Sequence, residues 1–120
     1  MRNTATRRRS YWRGIAAEWL ACLYLMCKGY WPLARRFKTP VGEIDLIMKR
    51  GGTVVFVEVK ARKAHADAAA SIHAGNQARV VQAAQWFVQT RPRLAALAFR
   101  FDAVTVSCYM MPRHIPHAFS

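Results

Sequence analysis

The stretch Val54-Val55-Phe56-Val57-Glu58-Val59-Lys60-Ala61-Arg62 decides how the rest of the chain is read. β-Branched and aromatic residues dominate its first half, the composition of a buried strand. Glu58 and Lys60 then interrupt it. Side chains alternate along a strand, so Val54, Phe56, Glu58 and Lys60 share one face and Val55, Val57 and Val59 the other. A carboxylate and an ammonium at the end of an apolar face are costly to bury unless paired or bound to something. Taken alone, the pattern fits equally well a strand that emerges into solvent carrying a surface ion pair.

Working back from it, Gly42-Glu43-Ile44-Asp45-Leu46-Ile47-Met48-Lys49 reads as a second strand. Arg50-Gly51-Gly52-Thr53 is the turn that joins the two as an antiparallel hairpin. Strict alternation puts Glu43, Asp45 and Ile47 on one face. Asp45 and Glu58 are about equally far from the turn, so they become cross-strand neighbours within about 5 Å if they share a face. Two carboxylates held together in a basic chain invite a divalent cation, and oxygen-only donors favour magnesium or manganese.

An Asp, a spacer and then Glu-x-Lys on a hairpin is the signature of the PD-(D/E)xK, restriction-endonuclease-like fold. The wording here, Gly42-Glu43-Ile44-Asp45-Leu46-Ile47 with Phe56-Val57-Glu58-Val59-Lys60-Ala61-Arg62, resembles the bacterial YraN family of small endonucleases inferred from sequence. The likeness extends from about Arg13 to Phe119, and in fold that family resembles archaeal Holliday-junction resolvases. It implies an α/β core with a mixed β-sheet flanked by helices, in the order helix, three strands, helix, strand. It implies a metal-dependent nuclease in which Asp45 and Glu58, with the backbone carbonyl of Val59, hold Mg2+ or Mn2+. Lys60 would orient or deprotonate the attacking water, or stabilise the charge of the transition state. Glu18, in a Gly14-x-x-x-Glu18 arrangement, would join the carboxylates, although on residues alone it reads equally as the partner of an arginine such as Arg13. Gln77 retains one member of a Lys-Gln pair that is Asn76-Gln77 here, and reads equally as a polar residue of a helix's first turn. Val41 stands where the family tends to carry a glycine.

The 120 residues are enough for one domain, and 53% hydrophobic content is enough to give it a core. The net charge is +13, from 19 Lys and Arg against 6 Asp and Glu, with Arg in the majority. Nucleic acid is the leading partner, DNA ahead of RNA, although an anionic membrane surface or a ribosome-like assembly suits the charge alone as well. Arg62, Lys63 and Arg79 are candidate phosphate contacts, joined by Arg7, Arg8 and Arg9 from a basic disordered arm over residues 1–10. Residues 11–120 form the single domain. The apolar run from Trp19 to Cys27 is far shorter than the ~20 residues of a membrane span, and Glu18 precedes it. The expectation is therefore a cytoplasmic protein with no membrane contact. Three cysteines and four scattered histidines have no metal-ligand spacing.

Around the hairpin, Arg13 to Lys28 reads as a helix ended by Gly29, with Ile15, Trp19, Cys22, Leu23 and Met26 as its apolar stripe. Leu33 to Lys38 is a basic edge strand. Lys63 to Gly75 is expected as a mobile loop beside the site. Asn76 to Arg91 is a second helix with Val80, Val81, Ala84, Phe87 and Val88 facing inward, and Ala98 to Val106 a further strand. Asp102 reads as structural, and the ending His114-Ile115-Pro116-His117-Ala118-Phe119 has no evident role. A non-catalytic nucleic-acid-binding module on the same fold is the competing function. A homodimer is expected if both strands of a duplex are cut.

Overall fold

A computed structural model describes residues 4–62, 74–107 and 110–118, with side chains described over 14–61, 77–107 and 112–118. Helix α1 (Thr4–Cys27) leads into β1 (Trp31–Thr39), β2 (Gly42–Arg50) and β3 (Thr53–Arg62). Helix α2 (Ala74–Gln89) and a 3-10 turn (Pro92–Leu94) then lead to β4 (Ala98–Ser107) and β5 (Met110–Ile115). The strands form one mixed sheet in the order β1-β2-β3-β4-β5. β3 pairs antiparallel with β2 and parallel with β4, the parallel pair being spanned by α2. This is the α/β core expected for a restriction-endonuclease-like fold.

Each helix covers one face of the sheet. Val55 and Val57 of β3, with Leu46, Met48, Val104 and Val106, pack against Ala17, Ala21, Cys22 and Leu25 of α1. Val54 and Phe56 pack on the other face with Ile44 and Ile47 against Val80, Ala83, Ala84 and Phe87 of α2. The inward face of α2 follows its sequence period except at Val81, which stays outside the core cluster, while Ala83 is buried within it. That of α1 does not: Trp19, Leu23 and Met26 are exposed, and the buried row is Ala17, Ala21 and Leu25. Small side chains at i and i+4 let the helix approach the sheet closely, leaving the large ones at its flank. Cys27 is exposed as well.

Helix α1 also begins earlier than Arg13. Residues 4–10, read from sequence as a disordered arm, are helical. They contain neither Gly nor Pro, and Ala and Arg are good helix formers, so a helix seeded by packing further along runs back through them. Its other end is as expected. Gly29, at φ +94°, donates to the Met26 carbonyl, and the Tyr30 N–H returns to the Leu25 carbonyl at 3.0 Å. The expected loop between β3 and α2 lies outside the described residues over 63–73, and α2 starts two residues earlier than Asn76.

The chain's ending, without a role in the sequence, supplies β5 and a buried polar network. His114 of β5 pairs with Val104 of β4. Its Nε2 lies 2.6 Å from Asp102 Oδ2, and Lys28 Nζ lies 2.6 Å from its Nδ1. Because the ammonium can only donate, Nδ1 accepts and Nε2–H is the donor to Asp102. Arg100 forks onto both Asp102 oxygens at 2.7 Å and reaches the Tyr30 hydroxyl, while the His117 N–H caps Oδ1. Burial alone would raise the Asp102 carboxyl. The hydrogen bonds from His114, Arg100 and His117 outweigh it and bring the group down to about 2.

A carboxyl held below its unfolded value stabilises the fold above that value, and the contribution disappears as pH falls through the folded one. Asp102 therefore supports the fold at neutral pH and ceases to do so between about pH 4 and pH 2. Asp102→Asn, which leaves Arg100 uncompensated, should cost about 3–5 kcal/mol in urea unfolding at neutral pH. A loss within about 0.5 kcal/mol would mean that the tail is not held by this pair.

Candidate nucleic-acid cleft

The ladder between β2 and β3 stops at Leu46↔Val57. Beyond that point the strands part, β2 remaining with β1 and β3 with β4. A cleft of about 540 Å³ opens between them, walled by Lys38, Thr39, Glu43, Asp45, Glu58 and Lys60, with Arg79 and Val80 of α2 on its far side. Gly42 is where the helix meets the sheet: a Cβ there would lie 2.6 Å from the Arg79 carbonyl oxygen, so only glycine allows this approach.

Strict alternation, which put Glu43, Asp45 and Ile47 on one face, fails at Asp45. Ile44 and Ile47 pack into the same core, as do Ala34 and Phe37 across from them on β1. Both pairs are three residues apart, so both strands turn over at the intervening Arg36 and Asp45. Arg36 adopts φ +54°, a left-handed conformation uncommon for a residue with a Cβ. The kink brings Asp45 within electrostatic reach of Glu18 on α1 as well as Glu58 on β3.

Asp45 Oδ2 accepts the Val59 N–H at 2.8 Å. Burial pushes its carboxyl up to about 6, opposed by that hydrogen bond and by Lys60, and reinforced by the charges of Glu18 and Glu58. Glu18 is also raised, first by burial and then by Glu43, against the pull of Arg36 and Arg35. Its Oε1 lies 3.4 Å from Arg35 and 3.7 Å from Arg36. Among the described side chains its arginine partners are thus on β1, and the side chain of Arg13 lies outside the described residues. Glu58 is 7% exposed, with Lys60 Nζ 3.2 Å from its Oε1. Its Oε2 is buried without a hydrogen-bond partner among the described residues.

Sequence-expected residues Asp45, Glu58 and Lys60 therefore line one cleft, with Glu18 within electrostatic reach of Asp45, Val59 tied to Asp45 through its backbone and Arg79 lining the opening. Gln77 is half-buried and is not among the cleft-lining residues. Lys63 and the side chains of Arg62, Arg7, Arg8 and Arg9 lie outside the described residues. Glu43, Lys38, Arg35 and Arg36 were not singled out from sequence. Glu43 stood in the decisive Gly-Glu-Ile-Asp block, whereas nothing local marked the arginines of an edge strand.

Among the described residues, no three of His, Cys, Asp and Glu converge tightly enough to form a ready-made metal cage. The donor chemistry nonetheless suits a hard divalent cation: crowded carboxylates, one of them with an orphaned buried oxygen, and no nitrogen or sulfur. No helix among the described residues is long and apolar enough to cross a membrane.

Comparison with known proteins places these features in a wider set. A family model described as "Uncharacterised protein family UPF0102" matches residues 17–106. A UPF0102 protein of Methylorubrum extorquens is 51% identical over 115 residues, covering 96% of this chain and 90% of the relative. UPF0102 proteins of Methylobacterium nodulans (49% over 113 residues; 94% and 88%) and Rhodopseudomonas palustris strain BisA53 (48% over 106 residues; 88% and 82%) are similar along nearly the same span.

The raised Asp45 carboxyl makes a signed prediction. A folded value of about 6 against an unfolded one near 4 gives stability that is present below about pH 4 and lost as pH rises through about 6. In chelator, Asp45→Asn should therefore melt above the parent beyond about pH 6, its amide oxygen still accepting the Val59 N–H. That advantage should shrink towards pH 4. A melting difference flat across this range would show that Asp45 is not under this strain.

Proposed function

The chain belongs to the UPF0102 family, the YraN family of the resemblance above, and from that premise we propose that the cleft is the catalytic centre of a metal-dependent nuclease hydrolysing phosphodiester bonds in DNA or structured nucleic acid. The observation that carries the proposal is the placement of charge. In a protein of net charge +13, three of the six carboxylates, Glu43, Asp45 and Glu58, line one cleft between splayed strands, and a fourth, Glu18, lies within electrostatic reach of Asp45 and Glu43. Such crowding raises carboxyl values and is relieved by a bound cation.

In this reading Asp45 and Glu58, with the Val59 carbonyl, hold magnesium or manganese, and Glu18 supports a second ion. The bound ion supplies charge neutralisation and Lewis-acid polarisation of the phosphodiester. Lys60, held at the cleft by Glu58, presents its ammonium to the charge that develops on the phosphoryl oxygens and orients the incoming water. Arg79, exposed at the rim, positions the backbone without reading sequence. We carry a cytoplasmic location and a homodimer as parts of the same proposal, the latter because cutting both strands of a duplex calls for two centres. A monomer in light scattering at working concentration would remove the homodimer.

Cleavage of duplex, nicked, branched, single-stranded and transfer-RNA substrates with magnesium or manganese tests the centre directly. Glu58→Gln and Lys60→Ala should each slow cleavage by at least about a hundredfold. Glu58→Gln should bind nucleic acid as well as the parent or better, having lost a negative charge beside the phosphate path. A parent that binds all of these substrates tightly and cuts none with either metal would instead be a non-catalytic binding module.

A further inference from the structure

Helix α1 has a second apolar face, turned away from the sheet, that neither the core nor the cleft uses. Its inner row, Ala17, Ala21 and Leu25, is buried against the strands. The outer row repeats at helical spacing through Ala16, Trp19, Leu20, Leu23, Met26 and Cys27, and every one of these is exposed. Leu23 stands at the centre of the arc and is 56% exposed, with Trp19 at 50% beside it. A helix that borders water ordinarily gives that side to polar residues. Helix α2 does so, exposing Arg79, Gln82, Gln85 and Gln89 beside Trp86. From Gly14 to Cys27, by contrast, α1 holds no Lys or Arg and a single carboxylate, Glu18, which is engaged with β1. A helix apolar all round belongs inside a larger body.

We infer that this face is where two copies of the chain meet, α1 against α1. Charge selects that occupant. Molecules of net charge +13 repel one another, and the outer face of α1 lets two of them touch without opposing like charges. Nucleic acid or an acidic protein would call for cations that the face lacks. A helix lying on an anionic membrane keeps a cationic side towards the headgroups, whereas the other side of α1 is packed on the sheet. The row is also suited to meeting itself. About a two-fold axis the helices run antiparallel, so that Leu23 meets the partner's Leu23 and Trp19 lies towards the partner's Met26. Ala16 and Cys27 are small enough to let the helices approach. The four large side chains leave on the order of 400 Å2 of apolar area on each copy, the upper part of what a soluble monomer shows. With their small neighbours, two such faces reach the ~1,000 Å2 that a specific interface must clear. Arg35, 4.5 Å from the centre of the Trp19 ring, and exposed Lys28 past the last turn border the face as a charged rim. The homodimer carried above rests on duplex cleavage; this contact rests on the helix face and stands even if the cleft cuts nothing.

Sedimentation equilibrium of the full chain, free of nucleic acid, tests the contact. The parent should be a dimer whose association holds or tightens between about 0.1 M and about 0.5 M salt, because screening relieves the repulsion between like-charged copies. A contact made of ion pairs would weaken over the same range. Leu23→Lys should weaken the dimer by at least about a hundredfold and Leu23→Ala by about tenfold, while Trp86→Lys, on the exposed side of α2, leaves it unchanged. Alanine is a good helix former, so its effect at an exposed position is not one of folding, and matching circular dichroism checks this. Melting supplies a second readout: the parent's Tm should rise with protein concentration and that of Leu23→Lys should not. A parent that stays monomeric to its solubility limit, or a dimer indifferent to both Leu23 variants, would overturn the proposal. So would a monomer that sediments with phosphatidylglycerol vesicles and loses them in Leu23→Lys, since the face would then belong to a membrane surface. The two proposals fail separately. A dimer that cuts nothing removes the nuclease, and a monomer that cuts removes the contact.

Discussion

Where β2 and β3 separate, one hydrogen bond replaces the ladder: Val59 N–H donates to Asp45 Oδ2 at 2.8 Å. A backbone donor left unpaired in a half-buried seam would cost on the order of 1–3 kcal/mol, so the opening of the cleft depends on a side chain able to accept at that point. An aspartate does this and brings a charge with it. The same residue therefore closes the seam structurally and initiates the electrostatic crowding that the cleft displays. Its hydrogen bond favours the fold while its ionised form, beside Glu18 and Glu58, opposes it.

The two buried carboxylate environments of the described chain make opposite use of the same group. Asp102 is wholly buried but surrounded by donors from Arg100, His114 and His117, and its carboxyl falls to about 2. Asp45 has one donor and two carboxylate neighbours, and it rises to about 6. Burial acts upward on both, and the partners decide the outcome. Asp102 ties the last strand to the sheet and, through His114, to Lys28 after α1, an arrangement in which both oxygens of the carboxylate have donors. At the cleft the charges are not all answered, which is the physical difference between a carboxylate that serves the fold and one that awaits a ligand.

β3 is the element that makes both environments one structure. It is the middle strand, covered on both faces, and its first half is accordingly apolar on both sides. Only past Val57, where β2 has left and the cleft begins, does the strand carry Glu58 and Lys60. The change from apolar to charged along this single strand thus marks the point at which packing ends and the proposed chemistry starts.

Much of this was legible in local pattern. The hairpin about Gly51 and Gly52, most of the inward face of α2 and the helix stop at Gly29 all follow from periods of 2 and 3.6 and from turn chemistry, which act over a few residues. What the sequence by itself determined is therefore the kind of fold and the strand segments, Asp45 with Glu58 and Lys60, from which the candidate cleft is built. The tertiary structure decided the rest. Alternation could not foresee the kink at Arg36 and Asp45, because it comes from two strands turning over together. The phase of α1 was misread because the largest apolar residues, Trp19 and Leu23, are not those that fit against the sheet; close approach favours Ala17 and Ala21. The ending stayed silent because His114 has meaning only across 12 residues from Asp102 and 86 from Lys28, and no periodic signal survives such distances. Pairings between remote charges are chosen by the assembled core, and only its geometry discloses them.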